Sequence, residues 1–280
     1  MDILLYNPLS RNGNNPKFIQ KIAKHLEKQG KTVVKQDILD IEDVTDFISK
    51  LHPEDRVILV GGDGTLNHLV NRIYGIKYPQ SLYMYQAGTG NDFIRSLKTK
   101  DKVVLIKPYL DKLPTITYQS ITKRFVNGAG LGLDGFVIHL VSNSKYKKNK
   151  INYFRHSLEG FRKFKSVSGT FTVDGKTYTE KKIWFASALN APYQGGGMKM
   201  APQADRNDGY LDLLVIKNMP KLLLFVIFPT IYFGIHPCFK KYVKIYRGKH
   251  ITVHVDRPTY IQVDGESKSE ITDIELFAAK

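Results

Sequence analysis

The sequence predicts two domains: an α/β N-terminal domain with a parallel sheet, and a C-terminal β-rich, sandwich-like domain. Short apolar runs alternate with amphipathic helical patterns over the first hundred residues, which is typical of a parallel sheet covered by helices. After Leu113 the pattern changes to β-rich runs separated by turns. Asp174-Gly175 lies between two such runs and is a strong β-hairpin signal. We therefore place the domains at residues 1–115 and 116–271.

The individual elements follow from hydrophobic periodicity and from turn residues. In the first domain, the predicted strands are residues 3–6, 32–34, 56–60 and 82–85, and the predicted helices are 18–26, 44–51, 66–73 and 92–97. In the second domain, the predicted strands are residues 115–120, 169–173, 184–189, 211–216, 251–255 and 260–263. Two helices interrupt them, near 153–164 and 222–233.

The chain is strongly basic. Its 280 residues contain 42 Lys and Arg against 26 Asp and Glu, which gives a formal net charge of +16. Such an excess attracts polyanions, so nucleotide phosphates, nucleic acid and an anionic membrane are all open as partners. The single cysteine, Cys238, excludes an intramolecular disulfide and a zinc site built on cysteine pairs.

Two apolar segments bear on the location of the protein. Residues 1–6 lack a basic flank and end at Asn7-Pro8, so we interpret them as a first strand and not as a signal peptide. The longest apolar run, 222–235, is too short to span a bilayer and contains Pro229. It is either a buried helix with a proline bend or a surface that touches lipid. We expect a cytoplasmic protein with peripheral, transient membrane contact.

The segment Gly61-Gly62-Asp63-Gly64-Thr65 indicates nucleotide chemistry. An apolar strand runs into this glycine-rich turn and a helix follows, so backbone N–H groups at the helix start can bind phosphate oxygens. An aspartate in an anion-binding turn is unfavourable unless a cation or a hydroxyl group is bound there too. Asp63 therefore points to a Mg²⁺-nucleotide. A generic glycine-rich turn is the simpler alternative.

A second glycine-containing turn, Gly88-Thr89-Gly90-Asn91-Asp92-Phe93, follows the next apolar strand. Together the two segments resemble the GGDGT and G-T-x-N-D-F/L elements of the diacylglycerol kinase catalytic-domain family, in its bacterial diacylglycerol kinase-like and YegS-like branch. The fold of that family agrees with the two domains predicted above. The resemblance implies a kinase that uses ATP and Mg²⁺ to phosphorylate a lipid hydroxyl, first of all that of diacylglycerol, giving phosphatidic acid.

The same resemblance implies a nucleotide site in the first domain. Asn7-Pro8-Leu9-Ser10 matches the N-P-x-S opening of the family, although Arg11 replaces the next glycine and could reach a phosphate. A plain Asn-Pro turn at the end of a strand is the alternative. The residues implied to hold ATP are Asn7, Ser10, Gly61, Gly62, Asp63, Gly64, Thr65, Asn67 and Thr89.

In the second domain, residues 127–135 resemble the N-x-x-G-x-G-x-D segment of the family, and we interpret them as a close-packed turn. Residues 195–212 resemble its G-G-G-x-x-x-x-P-x-A-x-x-x-D-G-x-L-D stretch, which holds a structural Mg²⁺ in bacterial members. The implied ligands are the carboxylate of Asp208 and the main-chain oxygens of Asp205 and Tyr210, a mixture that suits a hard cation. An Asn-Asp-Gly turn without a metal is the alternative.

Asp264-Gly265-Glu266 resembles the D-G-E motif near the C-terminus of the family. Phosphoryl transfer to an alcohol needs a group that accepts the hydroxyl proton. The resemblance implies Glu266 as this acceptor, with Asp264 as its partner and Asp63 on the nucleotide side. It also implies that the last strand, 272–280, returns to the first domain. A hairpin turn with exposed acids is the alternative.

Dense basic segments lie at 145–150, 162–165 and 240–249. They are either solvated faces or a patch that orients the protein on an anionic membrane, from which a lipid substrate is taken. We expect no nucleic-acid partner, because no RNA- or DNA-binding motif accompanies the charge. Related enzymes are often dimers, which leaves a homodimer open.

Two rival functions remain at this point. An NAD kinase-like enzyme shares the GGDGT motif, but the segment 88–93 and the apolar run 222–233 argue against it. A non-catalytic regulatory protein that binds nucleotide and membrane is the other rival. The intact acidic residues Asp63, Asp208, Asp264 and Glu266 argue against that one.

Overall fold

The computed structural model describes residues 1–8, 15–87, 90–145 and 150–279. It divides the chain into two compact units, Met1–Asp111 and Lys112–Lys280. The division thus lies a few residues before the predicted boundary at 115. Within the described ranges, no helix is both long enough and apolar enough to cross a membrane.

The first unit is the predicted α/β domain. Its elements are β1 (Asp2–Tyr6), α1 (Asn15–Glu27), β2 (Val33–Asp37), α2 (Val44–Ser49), β3 (Arg56–Gly61), α3 (Asp63–Arg72), β4 (Ser81–Gln86), α4 (Asp92–Ser96) and β5 (Val103–Leu105). The sheet has the order β2-β1-β3-β4-β5, and only β5 runs antiparallel to its neighbour. β1 and β3 are largely buried, as expected for strands of a parallel sheet with both faces covered.

The second unit is the predicted β-rich domain. Its elements are β6 (Thr115–Tyr118), β7 (Ile121–Arg124), β8 (Gly128–Gly132), α5 (Leu133–Ser142), α6 (Lys150–Lys163), β9 (Val167–Val173), β10 (Lys176–Leu189), β11 (Leu211–Lys217), α7 (Lys221–Phe233), β12 (Val243–Gly248), β13 (His250–Val263) and β14 (Glu266–Phe277). The strands pair antiparallel in the order β12-β11-β10-β8-β13-β14-β6-β7, and β9 pairs with both β10 and β13.

Two hydrophobic clusters stabilise this unit. One lies between the strands and includes Phe125, Phe171 and Ile251, all fully buried. The other packs α5, α6 and α7 onto β10 and β11 around Trp184, whose indole N–H donates to the main-chain oxygen of Met219 at 2.9 Å. Because β8 and β9 each pair with both β10 and β13, the sheet closes around the first cluster and gives the sandwich-like architecture.

The prediction that residues 272–280 return to the first domain is wrong. Residues 272–277 belong to β14, which pairs with β13 and β6 in the second unit. The reason is the two-residue turn Asp264-Gly265, which brings the chain straight back along β13. Residues 251–255 and 260–263 were predicted as separate strands, but both belong to β13.

Residues 127–135 also differ from the prediction, since they form β8 and the start of α5 and not a turn. Gly130 shows why this segment contains glycines. A Cβ at this position would lie 2.4 Å from the Cα of Ser187 on β10. The glycines therefore permit a close approach of two strands.

Candidate active site

Three sequence motifs of the first unit lie at one edge of its sheet. β1, β3 and β4 are parallel, so their carboxyl ends lie at the same edge, as the pairs Tyr6–Val60 and Gly61–Gln86 show. Asn7 follows β1, residues 62–67 follow β3, and residues 90–93 follow β4. Open α/β sheets bind ligands outside the carboxyl ends of their strands. The predicted residues Ser10 and Thr89, and also Arg11, lie outside the described residues.

The turn after β3 has the geometry of an anion-binding site. A Cβ on Gly61 would lie 2.5 Å from Thr65 Oγ1, so only glycine allows this approach. α3 starts at Asp63, and its N-cap residue Gly62 provides no capping side chain. A Cβ on Gly64 would meet nothing within 4 Å, so the helix start is open on that side. An open helix N-terminus suits a phosphate group.

The carboxylate of Asp63 joins the two glycine motifs of the first unit. Its Oδ2 accepts the N–H of Asp92 at 3.0 Å and its Oδ1 accepts the N–H of Phe93 at 2.8 Å. Asp63 therefore caps α4 and holds residues 90–93 against the turn after β3. Asn91, in the left-handed conformation beside it, has a buried Oδ1 without a hydrogen-bond partner in the described part of the chain. That oxygen can accept a hydrogen bond from a ligand, which fits a nucleotide site.

In the second unit, the carboxylate of Asp264 accepts three backbone hydrogen bonds. The donors are the N–H groups of Val126, Asn127 and Gly128, the last two at 2.8 and 3.1 Å. The N–H of Asp264 donates in return to the main-chain oxygen of Gly128 at 3.0 Å. Asp264 is only 9% exposed, and its φ of 45° and the φ of 91° at Gly265 define the tight turn. These contacts support a positioning function for Asp264.

Glu266 stands just beyond that turn, at the start of β14. Its side chain is 52% exposed, and its Oε2 accepts a hydrogen bond from Lys123 Nζ at 2.8 Å. Burial would lower the pKa of Lys123, but the hydrogen bond and charge of Glu266 outweigh it, so this pKa is raised. Lys123 therefore stays charged at neutral pH. The pair holds a solvent-accessible carboxylate in a defined position, as a proton acceptor requires.

Two other motif segments contact the loop that Asp264 holds. Gln194 Nε2 donates to the main-chain oxygen of Gly128 at 2.9 Å and to Gln262 Oε1 at 3.0 Å. Arg206 donates to Asn127 Oδ1 at 3.2 Å. The segments 127–135, 190–212 and 262–266 are therefore connected around the turn that presents Glu266.

The predicted metal ligands have other partners in the structure. Asp208 Oδ1 accepts the N–H of Tyr210 at 2.9 Å, and Oδ2 accepts a hydrogen bond from Arg247 at 2.7 Å. The main-chain oxygen of Asp205 accepts the N–H of Asp208 at 3.2 Å. The described residues contain no cluster of three or more His, Cys, Asp or Glu that could hold a metal ion. One carboxylate with main-chain oxygens still suits a hard cation, and Arg247 is 47% exposed and can move aside.

Family models match both units. The diacylglycerol kinase catalytic domain matches residues 3–113, and the YegS C-terminal NAD kinase beta sandwich-like domain matches residues 128–275. The second match alone covers more than half of the chain. The chain belongs to the diacylglycerol kinase catalytic-domain family, in its YegS-like branch. It is therefore a lipid kinase, a phosphotransferase with an alcohol acceptor.

Curated relatives agree with this family assignment. A diacylglycerol kinase of Mycobacterium tuberculosis is 27% identical over 274 residues, which are 94% of this chain and 87% of the relative. A diacylglycerol kinase of Bacillus subtilis is 24% identical over 270 residues, which are 94% of this chain and 88% of the relative. The solved structure of a diacylglycerol kinase from Bacillus anthracis shares the fold, with a TM-score of 0.64 at 20% identity over 99% of this chain and 93% of that one.

Sequence reasoning about this lipid kinase missed three side chains around the site. Lys123 stands in a short strand without any motif, so nothing in the sequence indicated it. Gln194 lies inside a segment that resembled the family, but its function as a connector depends on the fold. Asp134 is the aspartate of the N-x-x-G-x-G-x-D segment, but the resemblance implied no function for its side chain.

Asp134 is a buried carboxyl group. Ser187 Oγ donates to its Oδ2, and the N–H of Gly135 donates to its Oδ1 at 2.9 Å. Burial raises the pKa of Asp134 above the usual aspartate value, and these two hydrogen bonds only partly oppose the shift. The structure therefore favours the protonated form of this side chain more than water does.

Proposed function

We propose that this lipid kinase transfers the γ-phosphate of ATP to the hydroxyl group of a diacylglycerol, with Mg²⁺, and so produces phosphatidic acid. The observation that carries the proposal is the turn at Asp264, which three backbone N–H groups fix and which presents Glu266 to solvent beside Lys123. A fixed, accessible carboxylate is what removal of an alcohol proton requires.

In this proposal the first unit binds the nucleotide. The start of α3 and the turn residues 61–65 bind phosphate oxygens, while Asp63 keeps residues 90–93 in place. Asn7 follows β1 at the same edge of the sheet, and Asn67 lies in the second turn of α3, where it is buried. Ser10 and Thr89 remain proposed nucleotide ligands. Mg²⁺, when bound to ATP, neutralises charge on the phosphates and so eases the transfer.

The second unit supplies the proton acceptor. As the lipid oxygen forms its bond to the γ-phosphorus, Glu266 takes the hydroxyl proton, and the bond between that phosphorus and the β–γ bridging oxygen breaks to release ADP. Lys123 orients the carboxylate, and Asp264 fixes the turn. Neither of these two residues exchanges a proton with the substrate in this scheme.

We also propose a structural Mg²⁺ on the carboxylate of Asp208 and the main-chain oxygens of Asp205 and Tyr210. Binding there requires Arg247 to leave Asp208, so Mg²⁺ and Arg247 compete for one carboxylate. Thermal unfolding in Mg²⁺ and in EDTA tests this. Mg²⁺ should stabilise the Arg247→Gln variant more than the wild type and leave Asp208→Asn unchanged. Equal responses of all three proteins would contradict the metal site.

The choice of diacylglycerol rests on the names of the relatives that align with 94% of the chain. Because such a lipid resides in a bilayer, we place the reaction at an anionic membrane surface, which the net charge of +16 favours. The decisive assay supplies radiolabelled ATP with mixed micelles of diacylglycerol, a sphingoid base, ceramide or phosphatidylglycerol, and separately with NAD. We expect label on diacylglycerol. Label on NAD alone would overturn the proposal, and label on another lipid would correct the acceptor.

A further inference from the structure

Helix α7 is apolar on two opposite sides. Leu224, Ile227 and Ile231 pack into the core of the second unit, so one side is fully accounted for. The opposite side is exposed: Leu222 has 79% of its surface accessible, Val226 has 64% and Phe233 has 73%. Positions four and eleven residues apart lie on the same face of a helix, so these three side chains form one stripe.

Neighbouring residues extend this stripe into a patch. Phe225 and Tyr232 of α7 are 37% and 39% exposed, and Ile235, just past the helix, is 53% exposed. On α6, Phe154 is 43% exposed and its ring lies 6.0 Å from that of Phe228. We call this set the α7 patch; its members are Phe154, Leu222, Phe225, Val226, Tyr232, Phe233 and Ile235. A contiguous apolar surface of this kind marks an interaction site.

Charged side chains in the chain segment that contains α7 are all basic, and Glu159 on the adjoining α6 is paired with Lys163. Residues 213–255 contain seven Lys and Arg and no Asp or Glu. Lys217 and Arg247 are paired with Glu180 and Asp208. Of the remaining five, four flank the helix in sequence: Lys221 lies at its start, and Lys240, Lys241 and Lys244 lie beyond its end. All four are exposed, and within the described residues none is in a salt bridge.

We propose that the α7 patch docks onto an anionic lipid bilayer, with its apolar side chains in the interface and the four lysines on the headgroups. Apolar anchors with basic flanks match such a surface in both polarity and charge. A second copy of the chain matches less well, because a symmetric contact would place like-charged lysines against each other. With 13 residues, α7 is about 20 Å long, which is too short to cross a hydrocarbon core about 30 Å thick and suits a helix that lies in the interface.

This inference rests on the proposed function in one respect, namely that the lipid substrate is taken from a bilayer. Its test needs no turnover: the vesicles contain phosphatidylcholine and phosphatidylglycerol, without diacylglycerol or ATP. Vesicle binding therefore tests docking alone, and the radiolabel assay tests phosphoryl transfer, so the two proposals can fail independently.

Vesicle flotation compares the wild type with the triple variant Leu222→Ser, Val226→Ser, Phe233→Ser. We expect the wild type to float with the anionic vesicles and the variant to lose at least about tenfold in partitioning. The control variant Leu39→Ser, Leu105→Ser changes two apolar residues that are 49% and 42% exposed in the first unit, and it should bind like the wild type. Equal binding of the wild type and the triple variant would overturn the proposal.

Charge and insertion are measured separately. Changing Lys240, Lys241 and Lys244 to Gln should weaken binding roughly fivefold per lysine on anionic vesicles and leave binding to pure phosphatidylcholine unchanged. The only tryptophan, Trp184, is 3% exposed, so Val226→Trp adds a reporter. Its emission should shift to the blue with anionic vesicles, whereas that of Leu39→Trp should not.

Absence of the shift at position 226, or the same shift at both positions, would contradict insertion of α7. Sedimentation equilibrium without vesicles tests the rival occupant. A dimer that the serine variant converts to a monomer, together with unchanged vesicle binding, would assign the α7 patch to a second copy.

Discussion

Lys123 Nζ lies 2.8 Å from Glu266 Oε2, and this ion pair ties β7 to the start of β14. Glu266 is about half exposed and Lys123 about one-third exposed, so solvent screens the pair. Its contribution to the free energy of unfolding is therefore at most about 1 kcal/mol. The more important effect is on the orientation of the Glu266 carboxylate.

Lys123→Met keeps most of the side-chain volume and removes the charge. We expect kcat with diacylglycerol micelles to fall by up to roughly 100-fold while the KM for ATP stays the same, since the Glu266 carboxylate loses the hydrogen bond that orients it. The unfolding free energy should change little. Lys123→Arg keeps a hydrogen-bond donor and should restore most of the wild-type kcat, and a kcat of Lys123→Met equal to that of the wild type would refute the positioning function.

Glu266→Gln removes the proposed proton acceptor and keeps its shape. We expect kcat to fall by roughly 10²–10⁴-fold with diacylglycerol micelles, while the affinity for nucleotide stays the same. The matched control is Glu270→Gln, the same change in an exposed glutamate of the same strand, β14. A Glu266→Gln enzyme with more than about a tenth of wild-type kcat would show that another group accepts the proton.

Asp63→Ala tests a double function. Loss of its carboxylate frees the N–H groups of Asp92 and Phe93, so the variant should lose about 1 kcal/mol in the free energy of unfolding as well as its activity. Hydrogen exchange at those two amides should become faster. The control is Asp43→Ala, because Asp43 caps α2 in the same way through Thr45 and Asp46. It should cost the same stability and leave the kinase fully active; protected amides in Asp63→Ala would contradict the cap.

Local patterns in the sequence predicted much of the fold. β1, β3 and α1 have the right periodicity, and Asp174-Gly175 forms the predicted hairpin between β9 and β10. Asp264-Gly265 is the same hairpin signal, and it predicts the pairing of β14 with β13. Family precedent instead led to the wrong placement of residues 272–280. The local residues were the better guide at that position.

The contacts of the candidate site were less predictable, because they join residues distant in sequence. The carboxylate of Asp264 meets N–H groups of residues 126–128, and Lys123 meets Glu266, across more than 130 positions. No periodicity encodes such a contact. The apolar run 222–235 is a different case, because the sequence is compatible with a buried helix and with a surface that touches lipid. In α7 one face is buried and the other is exposed. Because both faces are apolar, the hydrophobic pattern of the sequence does not show which face is buried.

Asp264→Ala tests whether the turn depends on the carboxylate. Three backbone N–H groups would lose their acceptor in a buried place, so the unfolding free energy should fall by about 3 kcal/mol or more. The matched control is Asp174→Ala, in the other Asp-Gly turn, where the carboxylate also accepts backbone N–H groups but is exposed. Its cost should be about 1 kcal/mol. Equal costs in chemical denaturation would mean that Asp264 does not anchor the loop.

Asp134→Asn tests the buried carboxyl group through the pH dependence of stability. Burial raises the pKa of Asp134 in the folded protein, so the folded state binds this proton more tightly than the unfolded chain does. As the pH rises from the ordinary aspartate pKa of about 3.9 through the raised value, this side chain makes the wild type lose stability. Asparagine does not titrate.

The difference in unfolding free energy between Asp134→Asn and the wild type should therefore grow in favour of the variant across that range. Its slope should reach at most about 1.4 kcal/mol per pH unit, the limit for one proton. Urea denaturation of both proteins at a series of pH values gives this difference directly, and contributions of all other groups cancel. Parallel curves would mean that folding leaves the pKa of Asp134 unchanged, because the hydrogen bonds from the Ser187 hydroxyl and the Gly135 N–H offset the cost of burial.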